Sequence, residues 1–261
     1  MRAVFLHDKH TIATYLRRDA ALHLYALGDL DDFFWPYTVW YGLLDGEGLC
    51  AIALLYTGGD LPALLATGRS PATALGTLLQ QVKHLLPRRF YGHFSPEARD
   101  ALTADYALEP HGPHLKMCLS DPSCLEGVDI SGVERLTPAA TAELVAFYAR
   151  SYPGNWFDPR MLETGQYFGI REHDDLVSVA GVHVYSEAYR VAALGNITTL
   201  PTARGRGLAT TVTAALCRSL LKTVDLVGLN VHAENTAAIA CYRRLGFTIA
   251  AEYGEFLLTG R

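Results

Sequence analysis

The chain has 261 residues, half of them hydrophobic and 19% charged, with a formal net charge of -5. That length is comfortable for two domains of about 100–150 residues each, with ample core for both. The absence of any lysine or arginine block excludes an electrostatic nucleic-acid footprint, and no stretch approaches the ~20 apolar residues of a membrane-spanning helix.

In chain order, the first half reads as strand material at Trp40–Gly42, Leu49–Leu54 and Ala63–Gly68. A helix over Ala72–Leu86 and a strand at Phe90–Phe94 follow. A segment rich in Ser, Asp, Pro and Gly, residues 121–131, reads as a linker. Beyond it, Thr137–Tyr152 has helical spacing after a Thr-Pro start. Gly165–Arg171 and Leu176–Tyr185 flank His173-Asp174-Asp175, which predicts a hairpin with a charged tip. Tyr189–Leu200 is a third strand, and apolar residues at 208, 212, 216 and 220 form one stripe of a helix. Val224–Val231 predicts a strand, Asn235–Leu245 a helix stopped by Gly246, and Phe247–Leu258 closing strand material.

The two halves echo each other at an offset near 127: Trp40-Tyr41-Gly42 falls on Tyr167-Phe168-Gly169, and Ala63–Gly68 on Val191–Asn196. The shared order of strand, strand, strand, helix, strand, helix predicts a repeat. The expected domains are 1–120 and 132–261. One difference carries information: between third strand and helix the second half has Ile197–Arg206, where the first has little more than Arg69-Ser70-Pro71. If that loop makes a ligand site, only the second half has one.

In the loop Thr199–Ala209, Pro201 ends the ladder because it has no N–H to donate. Gly205 and Gly207 permit positive φ and put no Cβ between backbone and ligand. The free N–H groups of the helix that follows would make an anion cradle, to which Arg204 or Arg206 could add a charged contact. The glycine spacing fits neither a P-loop nor a dinucleotide fingerprint, and alone the loop is also compatible with a tight connection. Further on, Asn235 is a good helix N-cap, and Tyr242 lies two turns later on nearly the same face. Tyr242 taken alone reads equally as a core aromatic against Ile239 and Leu245.

Together, Arg204-Gly205-Arg206-Gly207-Leu208-Ala209 and the set Asn235, Ala238, Tyr242, Gly246, Phe247 resemble the paired motifs of the GNAT superfamily of N-acetyltransferases. The resemblance implies an α+β fold: two tandem GNAT-like domains, each a mixed, mostly antiparallel sheet flanked by helices, the first degenerate. It implies acetyl-CoA, or another acyl-CoA, as co-substrate. Thr198, Thr199, Leu200, Arg204, Gly205, Arg206, Gly207, Leu208, Ala209, Thr210 and Asn235 would bind it. Tyr242 would protonate the departing thiolate while an amine attacks the thioester directly. The family often carries a glutamate on the third strand to deprotonate that amine. Tyr189–Leu200 has none, which leaves His183 and His232 as candidate bases. The runs Trp35-Pro36-Tyr37 and Tyr152–Phe157 occupy matching places in the two halves, where the resemblance implies the border of an acceptor site. Asp174, Asp175 and the pair Asp31-Asp32 read as solvated charges.

The expected acceptor is a small-molecule amine or amino acid, with no nucleic-acid or membrane partner. Two other readings stay open: a CoA-binding sensor or scaffold whose catalysis has lapsed, and an enzyme acetylating protein termini or lysines, which would need a peptide groove. Cys50, Cys118, Cys124, Cys217 and Cys241 show no Cys-x-x-Cys and no cysteine–histidine cluster at metal-ligand spacing. They read as apolar thiols of a reducing compartment, without metal or disulfide. His7, Asp8, Lys9 and His10 interrupt any signal-peptide apolar run, so the expected location is cytoplasmic.

Overall fold

The computed structural model of the chain describes residues 1–46, 48–69 and 73–261. Two compact units form, one of Met1–Lys116, Val231–Glu234 and Ile249–Arg261, the other of Met117–Asn230 and Asn235–Thr248.

Unit 1 begins with β1 (Arg2–Leu6) and two short helices, α1 (Lys9–Leu16) and α2 (Leu24–Gly28). Asp8 starts α1 by accepting from the N–H groups of His10 and Thr11, two donors the first turn would otherwise leave unpaired. Next come β2 (Thr38–Asp45), β3 (Gly48–Tyr56), β4 (Ala63–Ala66), α3 (Thr73–Val82), β5 (Arg89–Phe94), α4 (Pro96–Asp100) and β6 (Tyr106–Leu119). Helix α3 buries Leu75, Leu78, Leu79 and Val82, a stripe at helical spacing, into a core with Leu43, Ala53, Leu64 and Phe90.

Unit 2 carries β7 (Val133–Arg135), α5 (Thr141–Ser151), β8 (Phe168–Glu172), β9 (Asp175–Ser186), β10 (Val191–Thr199), α6 (Leu208–Leu220), β11 (Leu226–His232) as far as Asn230, and α7 (Thr236–Arg244). The predicted hairpin closes with Glu172 opposite Asp175, and His173 and Asp174 at its tip have φ of 50° and 70°. Two successive left-handed residues match the twist of the flanking strands, and short polar side chains such as Asp tolerate that conformation.

The echo between halves is visible in each unit's own topology. In unit 1, β2, β3 and β4 run antiparallel and β4 pairs parallel with β5; in unit 2, β8, β9 and β10 run antiparallel and β10 pairs parallel with β11. The helix between the parallel strands, α3 or α6, is the crossover such a pair requires.

The distribution of the chain differs from a simple cut into 1–120 and 132–261. The closing strand β12 (Phe247–Gly260) leaves unit 2 after Thr248 and pairs antiparallel with β5, from Gly254 opposite Phe94 to Thr259 opposite Arg89. Residues 121–131, expected as a linker, are tied into unit 2: Leu125 is buried, and the Arg218 guanidinium of α6 donates to the carbonyls of Leu125, Glu126 and Val128. Ser70, Pro71 and Ala72, at the expected loop deletion and helix start, lie outside the described residues.

Candidate functional site

In unit 2 the strands β10 and β11 pair only from Val191–Leu226 to Leu194–Leu229, although β10 continues to Thr199 and β11 to His232. The cause lies on the other side of β10, where the register with β9 slips twice. Between Ala193 and Leu194 the partner skips His183, and between Gly195 and Thr198 an extra residue is taken up. Bulges of this kind bend a strand and strengthen its twist.

The second bulge is clamped. Asn196, at φ 54° and almost fully buried, takes a left-handed conformation that costs a non-glycine residue of order 1–3 kcal/mol. Three hydrogen bonds hold it there. The Tyr148 hydroxyl donates to its carbonyl at 3.0 Å, its own amide donates to the Tyr167 hydroxyl at 3.0 Å, and Asn155 donates to its Oδ1 at 3.0 Å. Tyr167 in turn donates to the Val182 carbonyl. Thr198 reaches the Ser151 carbonyl at 3.3 Å, the Thr199 hydroxyl meets Ser178 at 2.8 Å, and the Leu200 N–H donates to Val177. The strand end is therefore fixed on its β9 side.

Just beyond it, the chain turns through Pro201–Ala203 and enters α6 by way of Gly205 and Gly207, with φ of 77° and 81°. A Cβ built at either glycine meets nothing within 4 Å, so both face open space. Gly207 is the N-cap of α6, and its carbonyl receives the first helical bond, from Thr211. The amides of Leu208, Ala209 and Thr210 precede that bond and have no intrahelical partner. Of the two arginines, Arg204 folds its Nε back onto the Thr199 carbonyl at 3.2 Å, and Arg206 forms a bidentate pair with Glu172 at 2.5 and 3.1 Å. Both are committed within unit 2, so what the loop presents is chiefly backbone N–H. Thr210 also reaches the Cys241 sulfur, linking α6 to α7.

Asn235 caps α7 by accepting from the Ala238 N–H at 3.2 Å. Tyr242, two turns on, is buried at 8% exposure with its ring 5.9 Å from Phe247. Burial holds the phenol pKa well above its ordinary value, with Cys241, Tyr152 and Cys217 adding to the effect. It stays protonated throughout the neutral range.

The two candidate bases part company. His183 is the residue skipped in the first bulge, and its imidazole lies across Gly195, where a Cβ would stand 2.1 Å from Cδ2. Trp156 meets the same ring edge-on at 5.7 Å. His232 belongs to unit 1: its Nδ1 accepts from the Glu234 N–H, and its ring packs edge-on against His114 at 4.9 Å. There it adjoins a group that sequence reasoning missed. The Glu255 carboxylate accepts from the Tyr91 and Tyr253 hydroxyls at 2.6 Å each and lies 3.6 Å from His93 and 3.4 Å from His114. Those four contacts hold its carboxyl below the usual range in spite of burial. Among the described residues, no group of three His, Cys, Asp or Glu is arranged to hold a metal ion.

Sequence reasoning also assigned no site role to Asn196, Tyr148, Tyr167 and Gly195, which shape the strand end, or to Asn230 on β11. The signal for Gly195-Asn196 was available, since that pair within a strand pattern marks a bulge.

Residues 133–247 match the acetyltransferase (GNAT) family. Solved structures with a similar fold include a GNAT-family acetyltransferase described as putative, from Novosphingobium aromaticivorans. It is 20% identical, with 84% of this chain and 91% of that one covered and a TM-score of 0.60. A Drosophila protein is 14% identical over 98% of both chains with a TM-score of 0.72. A tandem GNAT protein of clavulanic acid biosynthesis is 17% identical over 99% of this chain and 98% of its own, with a TM-score of 0.57. No curated protein matches.

Proposed function

Since residues 133–247 are a GNAT acetyltransferase domain, and the chain is accordingly an acyltransferase drawing on acyl-CoA, we propose that it acetylates the amine of a small molecule or amino acid. The observation that carries the acyl-CoA part of this reading is the pair of left-handed glycines at the entry to α6, open on the side where a Cβ would project, beside the parting of β10 and β11.

In this reading the amides of Gly205–Thr210 hold the CoA diphosphate, with the dipole of a thirteen-residue helix behind them. The pantetheine arm lies along Thr198–Leu200, whose backbone has no ladder to β11, and reaches Asn235. The amine nitrogen attacks the thioester carbonyl carbon, the C–S bond breaks, and the amine gives up one proton to His183 directly or through water. Tyr242 supplies a proton to the CoA sulfur, and the proton collected by His183 returns through solvent to the tyrosinate, so both groups end as they began. A phenol whose pKa burial has raised is a weak acid, but burial also raises the basicity of the thiolate it serves, so the transfer stays matched. His183 is preferred to His232 because it lies on the strand next to the parting, whereas His232 packs against His114 in unit 1.

Unit 1 is read as the degenerate partner. Where unit 2 has its loop arginines, unit 1 has Arg69, bound to Asp19 at 2.6 Å and to the Ala250 carbonyl at 3.0 Å. The cytoplasm is the proposed location, consistent with five free thiols and a CoA thioester.

The test is calorimetric titration with acetyl-CoA, followed by thiol release with a panel of small amines and amino acids. Acetyl-CoA binding with acceptor-dependent thiol release is the expected result. Binding without turnover across the panel would favour the lapsed sensor, and turnover on peptides alone would favour a protein-modifying enzyme.

A further inference from the structure

Past the last paired residues of β10 and β11, Leu194 and Leu229, the next residues are Gly195 and Asn230. Side chains alternate along a strand, and Ala193 is in register with Gly228, so Gly195 and Asn230 face the same side of the sheet. The same side holds the His183 imidazole, which lies where a Gly195 Cβ would be. Asn230 Oδ1 is buried and has no hydrogen-bond partner among the described residues. A buried carbonyl oxygen left without a donor is a cost that native structures rarely retain, and it calls for an explanation.

A second observation concerns charge. Strands β10 and β11 contain no Asp or Glu, and β9 has one only at its far end, Asp175 in the hairpin tip. An ammonium ion between these strands would find a neutral amide and an imidazole. The Asp158 carboxylate, whose charge is felt at Tyr167 nearby, is already paired with Arg160 at 2.6 Å, so little counter-charge is left to offset its desolvation.

Resting on the acyltransferase reading, we propose that Asn230 Oδ1 is the acceptor-binding group, taking a hydrogen bond from the N–H of the incoming amine, and that the site selects amines that arrive uncharged. Weakly basic amines are free bases at neutral pH, so the imidazole has only to collect the proton released after attack. Strongly basic alkylamines would first have to shed a proton between strands that offer no carboxylate to take it.

The experiment compares wild type, Asn230→Leu and Asn230→Asp with an aniline, an amino-acid amide and an alkylamine of matched size, with acetyl-CoA affinity measured in parallel. Wild type should rank the aniline first, then the amide, whose amine of pKa about 7.7–8.0 is partly uncharged near neutral pH, and the alkylamine last. Asn230→Leu should raise the amine KM at least about tenfold, the worth of one hydrogen bond to a desolvated group, with acetyl-CoA affinity unchanged. Asn230→Asp keeps an acceptor oxygen and adds the missing charge, so it should turn the preference toward the alkylamine. Unchanged amine kinetics in Asn230→Leu, or an alkylamine preference in wild type, overturns the proposal while leaving the acyltransferase reading intact. Failure of wild type to bind acetyl-CoA sinks that reading and this one with it. If acetyl-CoA binds and no amine of the panel reacts, melting decides. Removing an oxygen kept only for a ligand should raise the Tm of Asn230→Leu by about 2–4 °C, whereas an equal or lower Tm shows a structural role and overturns the proposal. Should Asn230→Leu not fold, the isosteric Asn230→Asp decides on the order of amine preference alone.

Discussion

Replacing Gly207 with valine should abolish acetyl-CoA binding, and the structure sets what else it does. At φ 81° the residue is left-handed, so a side chain is strained even though a Cβ would meet nothing within 4 Å. From sequence, a stability cost on the order of 1 kcal/mol is expected for a surface loop unless φ is positive. The observed φ raises that to about 1–3 kcal/mol, with β-branching toward the upper end. Since about 1 kcal/mol lowers Tm by roughly 2–4 °C at this size, the variant should melt several degrees early yet stay folded at room temperature. Strain and occlusion can be separated with Gly207→Asn, because asparagine tolerates the left-handed region but fills the same space. Losing two charge-assisted bonds to the diphosphate, each worth about 1.5–3 kcal/mol, weakens binding by at least about a hundredfold. The assay is a melting curve and a calorimetric titration on both variants. Gly207→Asn with a near-normal Kd would refute the placement of the diphosphate at this loop.

Tyr242→Phe keeps the buried ring and removes the proton donor, so turnover should fall by about 10²–10⁴-fold with Kd for acetyl-CoA within a few-fold; unchanged turnover would make Tyr242 a packing residue. Titration of the full chain should give one acetyl-CoA per chain, and two equivalent sites would contradict the reading of unit 1 as degenerate. Stability should fall between about pH 6.5 and 8. Burial, with the charge of Lys116 adding, pulls His23 from 6.5 to about 4, so its contribution grows as pH rises between those values. Burial pushes Asp29 up from 3.8 to about 8, so its contribution is lost across that range, and the two slopes offset until His23 has finished titrating. Above that only Asp29 remains, at about 1.4 kcal/mol per pH unit. Denaturant unfolding of Asp29→Asn should lack this fall, and an equally steep loss in the variant would exclude Asp29 as its source.

The glycine turn before α6 and the cap of α7 were legible because their signals are local. A left-handed glycine before a helix, an asparagine cap and a tyrosine two turns later are all specified within a few residues of sequence. The repeat was legible because the order of strand and helix patterns survives when identity is lost. The parting of β10 from β11 was not. It depends on Asn196 held by Tyr148, Asn155 and Tyr167, residues 29–48 positions away, and no short window contains such a clamp. The fate of β12 was hidden for a related reason: alternating apolar residues say that a strand will pair, and leave open with which edge. Choosing between His183 and His232 likewise required knowing which unit each belongs to.

That last strand bears on the order in which the protein can be built. Unit 1 contains Met1–Lys116, but β5 receives its antiparallel neighbour only from residues 254–259. On a ribosome, where N-terminal domains generally fold first, this one has to wait. Until the final segment emerges, β5 presents an unpaired edge, the kind of surface that recruits foreign strands. The open edge therefore persists while the residues between Phe94 and Gly254 are being made, and loss of residues 249–261 would damage the unit that was begun first.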